Sequence, residues 1–120
     1  HNGKGHPRTA GSYSLVLGRY VRERKALSIM DALRKISLMP AQRLESRAPA
    51  FARKGRITPG ADADIVAFDP NTVLDRSTYD EPTLSPEGIP HVFVGGTQVI
   101  VGGKVTEGVV PGKGIKAPVS

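Results

Sequence analysis

Apolar positions recur at helical spacing in the first third of the chain. Tyr13, Val16, Leu17, Tyr20 and Val21 form one stripe, while Arg19, Arg22, Glu23 and Arg24 fall largely to the other side. The spacing predicts a helix from Ser12, preceded by a loop through Gly11 in which Pro7 keeps His6 extended. Gly18 weakens such a helix by about 1 kcal/mol relative to alanine, which suggests a close approach to a neighbouring element. A second helix is predicted from Ser28, whose hydroxyl can cap the first turn. Asp31 three residues on completes an aspartate form of the capping box. Ile29, Ala32, Leu33 and Ile36 give its apolar stripe, which Leu38 and Met39 broaden. Pro40 then predicts a break and a short third helix to Glu45, with Ala41 and Leu44 inward.

The period changes after the Ala-, Arg- and Pro-rich stretch 46–54. Asp64 to Asp69 reads as a strand whose run of apolar residues fits burial on both faces. Residues 71–88 are irregular and acidic and predict a long surface excursion. His91 to Val94 and Thr97 to Val101 predict a hairpin across Gly95–Gly96, and Gly102–Gly103 turns the chain again into Lys104–Val105. Residues from Gly108 onward read as an extended, loosely held tail. Helices followed by short strands give an α+β order. So few strands make too small a sheet to cover Ile65, Val66, Phe68, Val92, Val94 and Val99, so the sequence reads as half of a sheet completed elsewhere.

A length of 120 residues suits one folding unit plus an incomplete second one. No apolar run is long enough for a membrane span, and the polar, glycine-rich start does not resemble a signal peptide. The expected location is the cytoplasm. His1 is an odd first residue and suggests an engineered boundary or a cleaved chain. With no cysteine, disulfides, thiolate zinc sites and cysteine nucleophiles are all excluded from these residues. The net charge of +6 is uneven: residues 1–60 hold 13 Lys and Arg against three acids, and residues 61–120 four against eight. A basic half can mark a nucleic-acid partner, but the charges are not interleaved with aromatics, so solvated helix faces are the favoured reading.

Four ordered segments carry a resemblance. They are Gly5–His6–Pro7–Arg8–Thr9–Ala10–Gly11 leading into Leu17–Gly18–Arg19–Tyr20–Val21, then Ser28 to Leu44 with Pro40–Ala41–Gln42–Arg43–Leu44. Next come Lys54–Gly55–Arg56–Ile57–Thr58–Pro59–Gly60–Ala61–Asp62–Ala63–Asp64–Ile65–Val66, and last Ile89 to Gly96 continuing through Gly112–Lys113–Gly114. Together they resemble the C-terminal part of an amidohydrolase of the D-aminoacylase, or N-acyl-D-amino-acid deacylase, type. The third segment is general to amidohydrolases; the His6–Pro7–Arg8 loop narrows the match to the D-aminoacylase branch. The resemblance implies a (β/α)8 metallohydrolase barrel beside a small β-sandwich built from both chain ends. Residues 1–45 would be the terminal barrel loop and helices, 46–54 a linker, and 55–120 the C-terminal half of the sandwich. Its partner would be the N-terminal remainder of the enzyme, and the substrate an N-acyl amino acid.

The chemistry that the resemblance implies needs a divalent metal, zinc by expectation, to activate water, and an aspartate as general base and acid. That aspartate would fall before His1, and the three histidines His1, His6 and His91 lack metal-ligand spacing. No catalytic residue and no metal ligand is therefore expected here, and the chain is expected to be inert alone. Substrate binding is assigned to the loop: Arg8 as a two-pronged clamp for a substrate carboxylate, with His6 beside it, more often a loop anchor than a metal ligand. His91 is expected to be a half-buried structural histidine. Asp62 and Asp64 are expected to make turn and capping hydrogen bonds, and the Gly102–Lys104 and Gly112–Gly114 stretches are too short for phosphate cradles. Two alternatives stay open, a cyclic-amide hydrolase of hydantoinase or dihydropyrimidinase type and a stand-alone basic nucleic-acid-binding module. Left without partner strands, the chain is expected to self-associate through its sheet edges.

Overall fold

The computed structural model describes residues 5–117, so His1 and the last three residues of the tail lie outside it. Helix α1 spans Arg8–Leu15 and runs on without interruption into a π-helical stretch, Val16–Glu23. It starts four residues before the expected Ser12. Pro7 already holds helical dihedrals (φ −50°, ψ −30°), and its carbonyl accepts from the backbone N–H groups of Ala10 and Gly11. Pro7 thus nucleates the helix instead of ending a loop.

Helix α2, Ile29–Leu33, begins where expected. The Ser28 hydroxyl accepts from the Asp31 N–H at 3.1 Å and donates to the Asp31 carboxylate at 2.7 Å. No break follows. A π-helical stretch, Arg34–Leu38, leads directly into α3, Met39–Glu45, with Leu38 and Met39 both in right-handed helical geometry. Pro40 lacks an N–H and its ring crowds the preceding turn. The wider π turn, in which Met39 donates to the Arg34 carbonyl, absorbs both without reversing the chain. Ala41 is buried as expected, but Leu44 is 42% exposed. A 3₁₀ turn, Pro49–Arg53, closes the helical half.

Four antiparallel strands follow in spatial order β1-β2-β3-β4: Ile65–Ala67, His91–Val94, Thr97–Val101 and Lys104–Val105. The turns at Gly95–Gly96 and Gly102–Gly103 form as expected, all four glycines at positive φ, which suits type I′ hairpins. Between the Val92↔Ile100 and Phe93↔Gln98 pairs the register slips by one residue at Val99. Strand β1 is shorter than the expected Asp64–Asp69 run and is not covered on both faces, with Val66 53% exposed. Among the described residues β2 is its one neighbour, which makes it an edge strand.

The core joins the two halves. Leu17, Ala32 and Val73 are its buried centre, with Val16, Val21, Leu27, Leu33, Ile36, Phe68 and Ile89 packed around them. The expected surface excursion of residues 71–88 therefore supplies Val73, a fully buried side chain, and pairs with itself through Leu74 and Glu87. Gly18 explains how it comes so close, because a Cβ there would sit 2.7 Å from the Val73 carbonyl oxygen. Arg22 is drawn out of its expected solvated face to the same place. Its Nη1 donates to the Val73 carbonyl at 2.6 Å and to that of Pro70 at 3.3 Å.

Candidate functional site

His6, Pro7 and Arg8 sit at the start of α1, and both His6 and Arg8 are exposed. The loop is tight. The Arg8 N–H donates to His6 Nδ1 at 3.1 Å, and the Arg8 carbonyl accepts from the Ser12 hydroxyl at 2.8 Å. The backbone of Arg8 is thereby tied on both sides while its guanidinium extends outward. Among the described residues no hydrogen bond or ion pair engages that guanidinium. An exposed, unpartnered Arg on a tied backbone can take a carboxylate through two parallel hydrogen bonds.

A distant segment packs onto this loop. The Ser77 hydroxyl lies 3.0 Å from the Pro7 carbonyl and 2.7 Å from Asp75 Oδ1, its one proton shared between two acceptors. The Asp75 carboxylate also accepts from the Ser77 N–H at 2.9 Å, and it fills the space against Gly11 that a Cβ would need. The His6 and Tyr79 rings meet in a T-shaped contact at a centroid distance of 5.3 Å and an interplanar angle of 77°. Sequence reasoning missed this segment because nothing in its composition marks residues 75–79 as the loop's neighbour.

The remaining residues that the sequence singled out are dispersed. His91 is half-buried in β2, its Nδ1 2.9 Å from Gln98 Nε2, which also donates to the Ile100 carbonyl. Asp62 and Asp64 form an ion cluster with Lys54, and Arg53 reaches Asp62 at 3.3 Å. Asp64 Oδ1 also accepts from the Gly95 N–H at 2.8 Å and so pins the hairpin turn. The Lys54 ammonium, then the Gly95 N–H, hold the Asp64 carboxyl below its ordinary range. Asp64, then Asp62, raise Lys54. Arg56 pairs with Glu45 and ties the same loop to the end of α3. Gly102–Gly103 is a hairpin turn, and Asp31 is the partner of the cap residue Ser28, to which it donates its N–H.

The donor set does not fit a metal ion. His6 Nδ1 is engaged by the Arg8 N–H and His91 Nδ1 by the Gln98 side-chain amide, so neither nitrogen is left free for a metal in this arrangement. Among the described residues no three His, Cys, Asp or Glu side chains gather as a metal site would require. A groove of about 540 Å³ lies between the end of the first helix and Pro70–Asn71, and Arg8 is not among the residues that line it. No described helix is long and apolar enough to cross a membrane.

The model of the amidohydrolase family matches residues 5–104. The chain belongs to the amidohydrolase family. The relatives it matches are of the D-aminoacylase type. It is 48% identical over 94 residues to the N-acyl-D-glutamate deacylase of Alcaligenes xylosoxydans xylosoxydans, across 78% of this chain and 18% of that one. To the D-aminoacylase of the same organism it is 35% identical over 99 residues, across 82% and 19%. Among solved structures, it superposes on the N-acyl-D-glutamate deacylase of Bordetella bronchiseptica with a TM-score of 0.73 at 46% identity. That match covers 80% of this chain and 19% of that one, and that enzyme is complexed with zinc and a phosphonate mimic of the reaction's tetrahedral intermediate. A D-aminoacylase with a binuclear metal centre matches with a TM-score of 0.78 at 34% identity, across 87% and 21%. This amidohydrolase chain thus spans about a fifth of the length of the relatives it matches.

Proposed function

We propose that this chain is the C-terminal part of a metal-dependent deacylase that hydrolyses N-acyl-D-amino acids, N-acyl-D-glutamate foremost. The observation that carries the reading is the likeness to a zinc-bound N-acyl-D-glutamate deacylase, close in both sequence and backbone over four-fifths of the chain. The identity is higher to the N-acyl-D-glutamate deacylase than to the D-aminoacylase or the N-acyl-D-aspartate deacylase, which favours glutamate among these substrates. Residues 1–45 belong to the end of the barrel, 46–54 link, and 55–120 form half of the sandwich. The open edge of β1, with Val66 and Ile65 exposed, supports that division, since an edge of this kind needs a covering strand.

In this reading the metal and the catalytic carboxylate are held by the rest of the enzyme, and this chain supplies substrate recognition. Arg8 binds the carboxylate of the substrate from the rim of the barrel, and His6 holds the Arg8 backbone in place through its Nδ1. The test is turnover by the full-length protein reconstituted with zinc. N-acetyl-D-glutamate should be hydrolysed faster than N-acetyl-D-leucine, and N-acetyl-L-glutamate and hydantoin should not be hydrolysed. Preferential opening of the cyclic amide, or no turnover of any N-acyl-D-amino acid, would refute it.

A further inference from the structure

We propose that Ser77 and Tyr79, with Asp75 behind them, are positioning residues that aim Arg8 at the substrate carboxylate. The inference rests on the carboxylate-binding reading of Arg8. Two contacts fall on the residues just before Arg8, and a third falls one helical turn beyond it. The Ser77 hydroxyl reaches the Pro7 carbonyl, and the Tyr79 ring meets His6. The Asp75 carboxylate lies against Gly11 and holds Ser77 through its N–H and hydroxyl. The two stretches lie about seventy residues apart in sequence, yet three consecutive odd positions, 75, 77 and 79, all face the one loop.

The physical need is clear. A planar guanidinium meets a planar carboxylate in two parallel hydrogen bonds only if its backbone is placed to a fraction of an ångström. Helix α1 has no side-chain cap at Pro7 to fix its first turn, and Arg8 and His6 are both solvent-exposed. His6 Nδ1 takes the Arg8 N–H, and the 75–79 segment in turn restrains His6 and Pro7. Tyr79 is itself 81% exposed, so it contributes almost nothing to the core, and its contact with His6 is the ring contact the structure gives it. Such a residue is well suited to orienting the loop and poorly suited to holding the fold.

The experiment is a kinetic double-mutant cycle in the full-length zinc enzyme with N-acetyl-D-glutamate. Ser77→Ala and Tyr79→Ala should each raise KM by roughly tenfold with kcat kept within a factor of about two, as expected when substrate and transition state lose the same contact. Tyr79→Phe, which keeps the ring, should behave as wild type. In an Arg8→Met background neither substitution should raise KM further, because each acts through Arg8. Additive effects in that background, or an unchanged KM in Ser77→Ala and Tyr79→Ala while Arg8→Met raises it, would overturn the positioning role alone. An unchanged KM in Arg8→Met would overturn the carboxylate-binding reading as well.

Discussion

Gly18→Ala isolates the contact that joins the helical half to the sheet half. In a free helix the change would stabilise by about 1 kcal/mol. Here the new Cβ would lie 2.7 Å from the Val73 carbonyl oxygen, well inside the 3.4 Å where ordinary contact begins, and the obstacle is backbone with little freedom to yield. Relief requires the π-helical stretch and residues 70–75 to separate. Overpacking of this kind costs about 1–3 kcal/mol. The same carbonyl accepts from Arg22, and stretching a hydrogen bond to a charged group costs up to about 1.5–3 kcal/mol more. Set against the propensity gain, the expected net effect is a destabilisation of about 1.5–5 kcal/mol, at least a roughly tenfold rise in local opening. Amide hydrogen exchange over residues 16–23 and 70–75 in the full-length protein reads it directly. Gly112→Ala, where a Cβ meets nothing within 4 Å, is the control and should change nothing. Slower exchange in Gly18→Ala, as propensity alone would give, would show that Val73 does not pack on this helix.

Ser28→Ala should weaken the start of α2 by about 1 kcal/mol, seen as faster exchange at the amides of residues 29–32. The Lys54–Asp64 junction should set a pH window. The pKa of folded Asp64 lies below its ordinary 3.8, so its contribution is complete above that value and is lost as pH falls through the folded one. Folded Lys54 lies above 10.5, so its contribution is complete below that value and is lost as pH rises through the folded one. Asp64→Asn should flatten the acid limb of a stability–pH curve, and an unaltered acid limb would refute the assignment. The isolated 120-residue chain should self-associate through β1, where Ile65 and Val66 are exposed; light scattering that reports a monomer at high concentration would contradict this.

What the sequence showed plainly was local chemistry. Ser28 with Asp31, Gly95–Gly96 and Gly102–Gly103 each dictate their geometry within a few residues, and each is found as expected. What it hid was tertiary. Gly11 sits inside α1 because Asp75 occupies the room a side chain would take, and no periodicity near Gly11 announces that. Pro40 predicts a break where the helix runs on, because a π turn is not a pattern that apolar spacing reveals. Val73 is buried inside an irregular stretch without alternation, and Arg22 leaves its solvated face for a carbonyl 51 residues away. In the candidate site, Arg8 and His6 were legible from the His6–Pro7–Arg8 motif. The Asp75, Ser77 and Tyr79 support was not, because only the fold brings it there.

The most direct test of the account is a crystal structure of the full-length protein with zinc and a phosphonate analogue of N-acyl-D-glutamate. The account predicts that the Arg8 guanidinium lies within about 3 Å of a carboxylate of the inhibitor. It also predicts that every metal ligand comes from chain outside residues 5–117. A metal bound by His6 or His91, or an inhibitor carboxylate held by other groups while Arg8 points to solvent, would contradict it.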